Sequence, residues 1–127
     1  MTETGAEQQE QFYNRHNTTE SLDIVVLALI GDTAVACGAL KEHSPEVAEI
    51  KRIFVSDSHR KNGIGKRIIS ALEKAAADQG FRRLILETGT KMPEAQALYA
   101  RLGYEIIENF GVYASLPDSV CMGKNLS

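Results

Sequence analysis

The run Arg60-Lys61-Asn62-Gly63-Ile64-Gly65 follows an apolar stretch, Ile53-Phe54-Val55, and a polar turn, Ser56 to His59. Its two glycines let backbone approach a ligand with no Cβ in the way. A helix beginning here would also present N–H groups that have no partner inside the helix. With Arg60, Lys61, Lys66 and Arg67 clustered around it, such a helix start suits the oxygens of a phosphorylated ligand. The spacing excludes two nucleotide signatures. A Walker loop is G-x-x-x-x-G-K-[ST] and a dinucleotide fingerprint is G-x-G-x-x-G, whereas Gly63 and Gly65 are followed by Ile68. His16, His43 and His59 stand in polar surroundings with no paired Ser or Cys, so no nucleophilic triad assembles. Cys37 and Cys121 lack C-x-x-C spacing and lie in apolar strand-like stretches, the setting of buried free thiols rather than metal ligands.

The elements that position this run are readable in order. Residues 1–20 are rich in Thr, Glu, Gln and Asn and are expected to be disordered or partly helical, with a helical turn around Glu10 to Arg15. Leu22 to Ile30, the turn Gly31-Asp32 and Thr33 to Leu40 predict a hairpin, with Gly38 marking a bulge or a close approach. Lys41 to Glu46 breaks the sheet at Pro45, and Val47 to Val55 is the strand that feeds the glycine run. From Gly63 to Gln79, Ile64, Ile68, Ala71, Leu72, Ala75 and Ala76 recur on one face of a helix. Leu84 to Thr88 is a short buried strand, parallel to its predecessor because a helix joins them. A second helix starts at Pro93 and stops at Gly103. Tyr104 to Ile107 and Val120 to Lys124 close the chain as a strand pair around a loop holding Phe110, Tyr113 and Pro117.

With 127 residues, 43% of them apolar, the chain has room for one core. The net charge of −3 argues against a general nucleic-acid binder and makes the basic cluster at residues 60–67 a local feature suited to a small anion. The apolar run Ile24 to Ile30 is far short of the roughly 20 residues of a membrane span, and the N-terminus has no apolar leader core. The expectation is a cytoplasmic protein with no membrane partner.

R-x-x-G-x-G after a strand resembles the coenzyme A pyrophosphate loop of the GNAT acetyltransferase superfamily. The run Ala95-Gln96-Ala97-Leu98-Tyr99-Ala100-Arg101-Leu102-Gly103-Tyr104 resembles that family's last helix and following strand. Leu86-Glu87-Thr88-Gly89, Pro93-Glu94, Asn109 to Tyr113 and Ser119 to Cys121 are similar to a bacterial subgroup of uncertain substrate. The sequence departs from the pattern in two places. Met92 stands where many members carry Asn, and the N-terminal strand and helix pair is absent or reduced to residues 1–20. The resemblance implies an α/β (α+β) fold over residues 21–127. Its mixed central sheet would have antiparallel N-terminal strands, a parallel pair at the coenzyme cleft, flanking helices and reduced N-terminal helices.

The resemblance also implies roles. Acetyl-CoA would be co-substrate, with no metal. Its pantetheine arm would lie along Ile53, Phe54 and Val55, and its pyrophosphate on Arg60, Lys61, Asn62, Gly63, Ile64, Gly65 and Lys66. Glu49, six residues before Val55, and Glu87 match family base positions, with Glu49 slightly favoured. Tyr99, twelve residues after Glu87, matches the general acid. The implied activity is N-acetylation of a primary amine on a small molecule or peptide by direct attack. A non-catalytic acyl-CoA-binding or protein-interaction domain is the alternative. An open acceptor side completed by a second subunit points to a homodimer.

Overall fold

The protein is described here by a computed structural model, which covers residues 10–16, 24–56, 58 and 63–126. Strands β1 (Glu10–His16), β2 (Ile24–Ile30), β3 (Thr33–Ser44) and β4 (Val47–Val55) form an antiparallel meander. Helix α1 (Ile64–Asp78) crosses over to β5 (Arg83–Gly89), which runs parallel to β4. Helix α2 (Pro93–Arg101), β6 (Glu105–Ile107), a short 3₁₀ segment (Gly111–Ser115) and β7 (Ser119–Asn125) complete one seven-stranded sheet of order β1-β2-β3-β4-β5-β7-β6. This is the mixed sheet with one parallel pair that the sequence implies.

Two expectations need correction. The stretch Glu10 to Arg15 is not a helical turn but the body of β1, paired with β2 from Glu10↔Ile30 to His16↔Ile24. A polar segment with Phe12 and Tyr13 can complete the ladder of an otherwise open strand edge, a long-range gain that local composition does not reveal. The sheet also does not break at Lys41. β3 continues to Ser44, and only Pro45-Glu46 makes the turn into β4.

Helix α1 lays Ile64, Ile68, Ile69, Leu72, Ala75 and Ala76 against β2, β3 and β4. The larger of these side chains each contribute about 1.5–3 kcal/mol by leaving water. On the sheet, Ala48, Ile50, Leu84, Leu86 and Met122 meet that helix in a single core. Strand alternation therefore sends Glu49, Ile85, Glu87 and Cys121 to the opposite face.

A bulge decides the shape of the site. Cys37 pairs with Phe54 and Ala39 with Lys51, so two steps along β3 match three along β4. The extra residue lies at Arg52, whose φ of 58° is the only positive value among the described non-glycine residues. One added residue exchanges the faces of everything after it. Ile53 and Val55 thus pack on the core although Glu49 and Lys51, at the same parity, do not. Gly38 sits opposite the bulge. A Cβ there would lie 2.8 Å from Ile53 Cδ1, 2.8 Å from Leu72 Cδ1 and 3.0 Å from Ile68 Cγ2, so glycine is what lets α1 and the bulge close on β3. Of the two alternatives expected of Gly38, the close approach is present, and the bulge lies across from it on β4.

Candidate active site

Pairing between β4 and β5 ends at Ile50↔Leu86. Past this point the bulge turns β4 away, and the two strands separate around a cleft of about 610 Å³. The Lys51–Val55 edge of β4 forms one wall and Leu86, Glu87 and Thr88 form the other. Ala95, Leu98 and Tyr99 of α2 line the cleft as well, and Gly65 of α1 lies at its margin. Beyond Ile50 the β5-facing side of β4 has no strand partner among the described residues, so an extended ligand can add to it through backbone hydrogen bonds.

The start of α1 is built for an anion. Gly63 caps it with φ 77°, a conformation costly to other residues, and contributes no side-chain cap. The first turn holds no acidic residue, and it carries Lys66 and Arg67. Helix dipole, uncapped N–H groups and basic side chains all favour negative charge here. Ile64 is buried beneath this turn and anchors it, so its side chain is not exposed to a ligand. Arg60, Lys61 and Asn62 lie outside the described residues.

Glu49, Glu87 and Tyr99, far apart in sequence, all line the same cleft. Glu49 is only 7% exposed. Its Oε2 accepts a hydrogen bond from the Tyr113 hydroxyl at 3.3 Å and lies 3.7 Å from Lys51 Nζ. Ser119 Oγ donates to Glu87 Oε2 at 2.8 Å from the neighbouring strand β7. Tyr99 is 8% exposed, and among the described residues its hydroxyl has no hydrogen-bond partner. Burial raises its pKa, so the phenol stays protonated and able to donate.

Of the aromatic residues Tyr104, Phe110 and Tyr113, Tyr113 lines the cleft and the other two do not. Tyr104 lies in the core, where its hydroxyl donates to Glu73 Oε2 at 2.8 Å beside Lys124 Nζ at 3.1 Å. Burial, then the Glu73 carboxylate, push its pKa up strongly. Phe110 meets Tyr113 and His43 edge to face, at 5.4 Å in each case, and so supports Tyr113 from behind. Sequence reasoning missed Ser119, Lys51 and Arg52, because their value depends on neighbours across the sheet. Cys121 is a buried free thiol whose pKa is raised by burial, and Cys37 is half-buried, its Sγ donating to Arg52 O at 3.6 Å. Among the described residues, no helix is long and apolar enough to cross a membrane.

The model of the acetyltransferase (GNAT) family matches residues 2–104. Among curated proteins, the chain is similar to the uncharacterized N-acetyltransferase YsnE of Bacillus subtilis, 38% identical over 98 residues that cover 76% of this chain and 65% of YsnE. It is similar also to the IAA acetyltransferase of Azospirillum brasilense, 36% identical over 95 residues, covering 74% of this chain and 62% of that protein. The aligned stretch thus spans less than two thirds of either relative. A solved Klebsiella pneumoniae chain assigned to the acyl-CoA N-acyltransferases superposes with a TM-score of 0.82 at 28% identity, covering 94% of this chain and 99% of that one. A GNAT family acetyltransferase of Elizabethkingia anophelis with acetyl-CoA bound has the same fold, with a TM-score of 0.72 at 20% identity over 80% of this chain and 75% of that one.

Proposed function

The chain belongs to the GNAT acetyltransferase family, and from that premise we propose that it is an acetyl-CoA-dependent N-acetyltransferase acting on a primary amine of a small molecule or peptide. The observation that carries this reading is the convergence of Glu49, Glu87 and Tyr99 on one cleft, between the unpaired edge of β4 and the start of α1. Gly63, Gly65 and Lys66 would receive the pyrophosphate and Ile53, Phe54 and Val55 the pantetheine arm. The acetyl-CoA bound by the Elizabethkingia protein, which has the same fold, supports acetyl-CoA as the co-substrate.

A lysine-like amine has a pKa near 10.4, so presenting it neutral at pH 7 costs on the order of 4–5 kcal/mol. Glu49 is the base we favour: it is buried at the cleft wall, held by Tyr113, and able to take the proton through a water. Glu87 faces the same space and would help to hold the incoming ammonium. As the amine nitrogen bonds to the acetyl carbon and the C–S bond breaks, the thiolate takes the Tyr99 phenolic proton. Burial keeps that proton in place until it is needed. The sheet face that carries Glu49, with Tyr113 of the 3₁₀ segment against it, is the acceptor side, and a second copy of the chain could complete it.

The test is thiol release from acetyl-CoA across a panel of small primary amines and short peptides with free N-termini. The expected result is amine-dependent release together with a rise in thermal midpoint on saturation with acetyl-CoA. Stabilisation without release under any amine would leave an acyl-CoA-binding domain. No stabilisation at a saturating dose would remove both readings.

A further inference from the structure

Between β6 and β7 the chain is held in a defined shape. Asn109 Nδ2 lies within hydrogen-bond distance of three carbonyls, Tyr113 O at 3.1 Å, Ser119 O at 3.0 Å and Leu116 O at 3.5 Å, and so gathers both ends of the 3₁₀ segment. Phe110 is wedged edge-on between His43 and Tyr113. What this construction delivers is one phenolic hydroxyl, brought across 64 residues of sequence to Glu49 Oε2, where Lys51 Nζ also points. Tyr113 has no such need for its own packing: it is half-buried and lines the cleft rather than the core.

On the acetyltransferase reading, we infer that Tyr113 is a positioning residue. Its hydroxyl holds the Glu49 carboxylate toward the acceptor, while its ring forms the acceptor-side wall of the cleft. A carboxylate on a strand has rotamers that turn it along the sheet, and a donor fixed by a separate element selects one of them. Lys51 supplies the second contact to the same oxygen, and among the described residues the other carboxylate oxygen has no such contact, which leaves it to water or amine. Glu87 has an independent anchor in Ser119, so the two carboxylates are held by different hydroxyls on different elements. Tyr113 thereby separates the role of Glu49 from that of Glu87.

A double-mutant cycle tests this with the whole chain. Tyr113→Phe keeps the ring and removes the hydroxyl. Its kcat should fall about five- to tenfold, with KM for acetyl-CoA and the thermal midpoint unchanged. In a Glu49→Gln background the same change should alter kcat by less than about twofold, because the group it positions is gone. In a Glu87→Gln background the full loss should persist. Tyr113→Ala, which also removes the wall, should raise the KM of the amine acceptor. Equal losses in the parent and Glu49→Gln backgrounds, or a Tyr113→Phe enzyme within twofold of the parent, would overturn the inference while leaving the transferase reading intact. A parent chain that turns over no amine would overturn both.

Discussion

Gly38→Ala is the substitution whose sign is most informative. In an ordinary strand position, replacing glycine with alanine reduces the entropy of the unfolded chain and stabilises by roughly 0.5–1 kcal/mol. Here the new methyl would sit 2.8 Å from both Ile53 Cδ1 and Leu72 Cδ1, and 3.0 Å from Ile68 Cγ2. These atoms are ends of side chains, so they can move. Three must do so together, however, inside a core where Leu72 and Ile68 are fully buried. Overpacking of this kind costs about 1–3 kcal/mol, whose midpoint outweighs the entropic gain and leaves a net loss of about 1 kcal/mol. Urea unfolding should show a lower midpoint at unchanged slope. Since Ile53 lies at the bulge and lines the cleft, acetyl-CoA affinity should fall a few-fold as well. A variant as stable as the parent, or more so, would refute the account of how the bulge is packed.

Tyr99→Phe should lower kcat at least tenfold and leave acetyl-CoA affinity within about twofold, measured by steady-state kinetics and calorimetry; equal loss of binding would make Tyr99 a packing residue. Gly65→Ala should fold normally, since among the described residues its Cβ would meet only Val55 Cγ2 at 3.7 Å and Leu98 Cδ2 at 3.9 Å, whereas Gly65→Leu should weaken acetyl-CoA binding at least tenfold in the same titration. Alkaline stability follows from the buried phenols. Tyrosines of the unfolded chain ionise from about pH 10, while burial keeps Tyr99 and Tyr104 protonated in the fold, so the folded state binds more protons there. Their contribution is complete below pH 10 and is lost as pH rises beyond it. Denaturation between pH 9 and 11 should show this fall, and Tyr104→Phe should make it shallower.

The parts of the fold legible in the sequence are those with local causes. The Ile64-Ile68-Leu72 stripe specifies α1, Gly31-Asp32 turns the β2–β3 hairpin, and Pro93 starts α2. A parallel β4–β5 pair then follows from the helical crossover. Gly38 announced a close contact without saying with what, and Ile53, Ile68 and Leu72 answer from two other elements. β1 could not be read from composition because its partner, the β2 edge, supplies the reason for it to be extended. The part of the cleft that Tyr113 lines was hidden for the same reason. Tyr113 is one aromatic in a loop until Asn109 and Phe110 fold it onto Glu49. Positive φ at Arg52 has no mark in the sequence, yet it is what parts β4 from β5 and makes the cleft.

Amide chemical-shift mapping during titration with acetyl-CoA addresses the site most directly. Perturbations are expected on the β4 edge at Ile53 and Val55, on the first turn of α1 at Ile64, Gly65 and Lys66, and around Tyr99 and Glu87. Shifts confined to a second concavity, about 440 Å³ in volume and lined by Glu46, Arg82, Arg83 and Asn125, or a spectrum unmoved by saturating acetyl-CoA, would contradict this placement of the site.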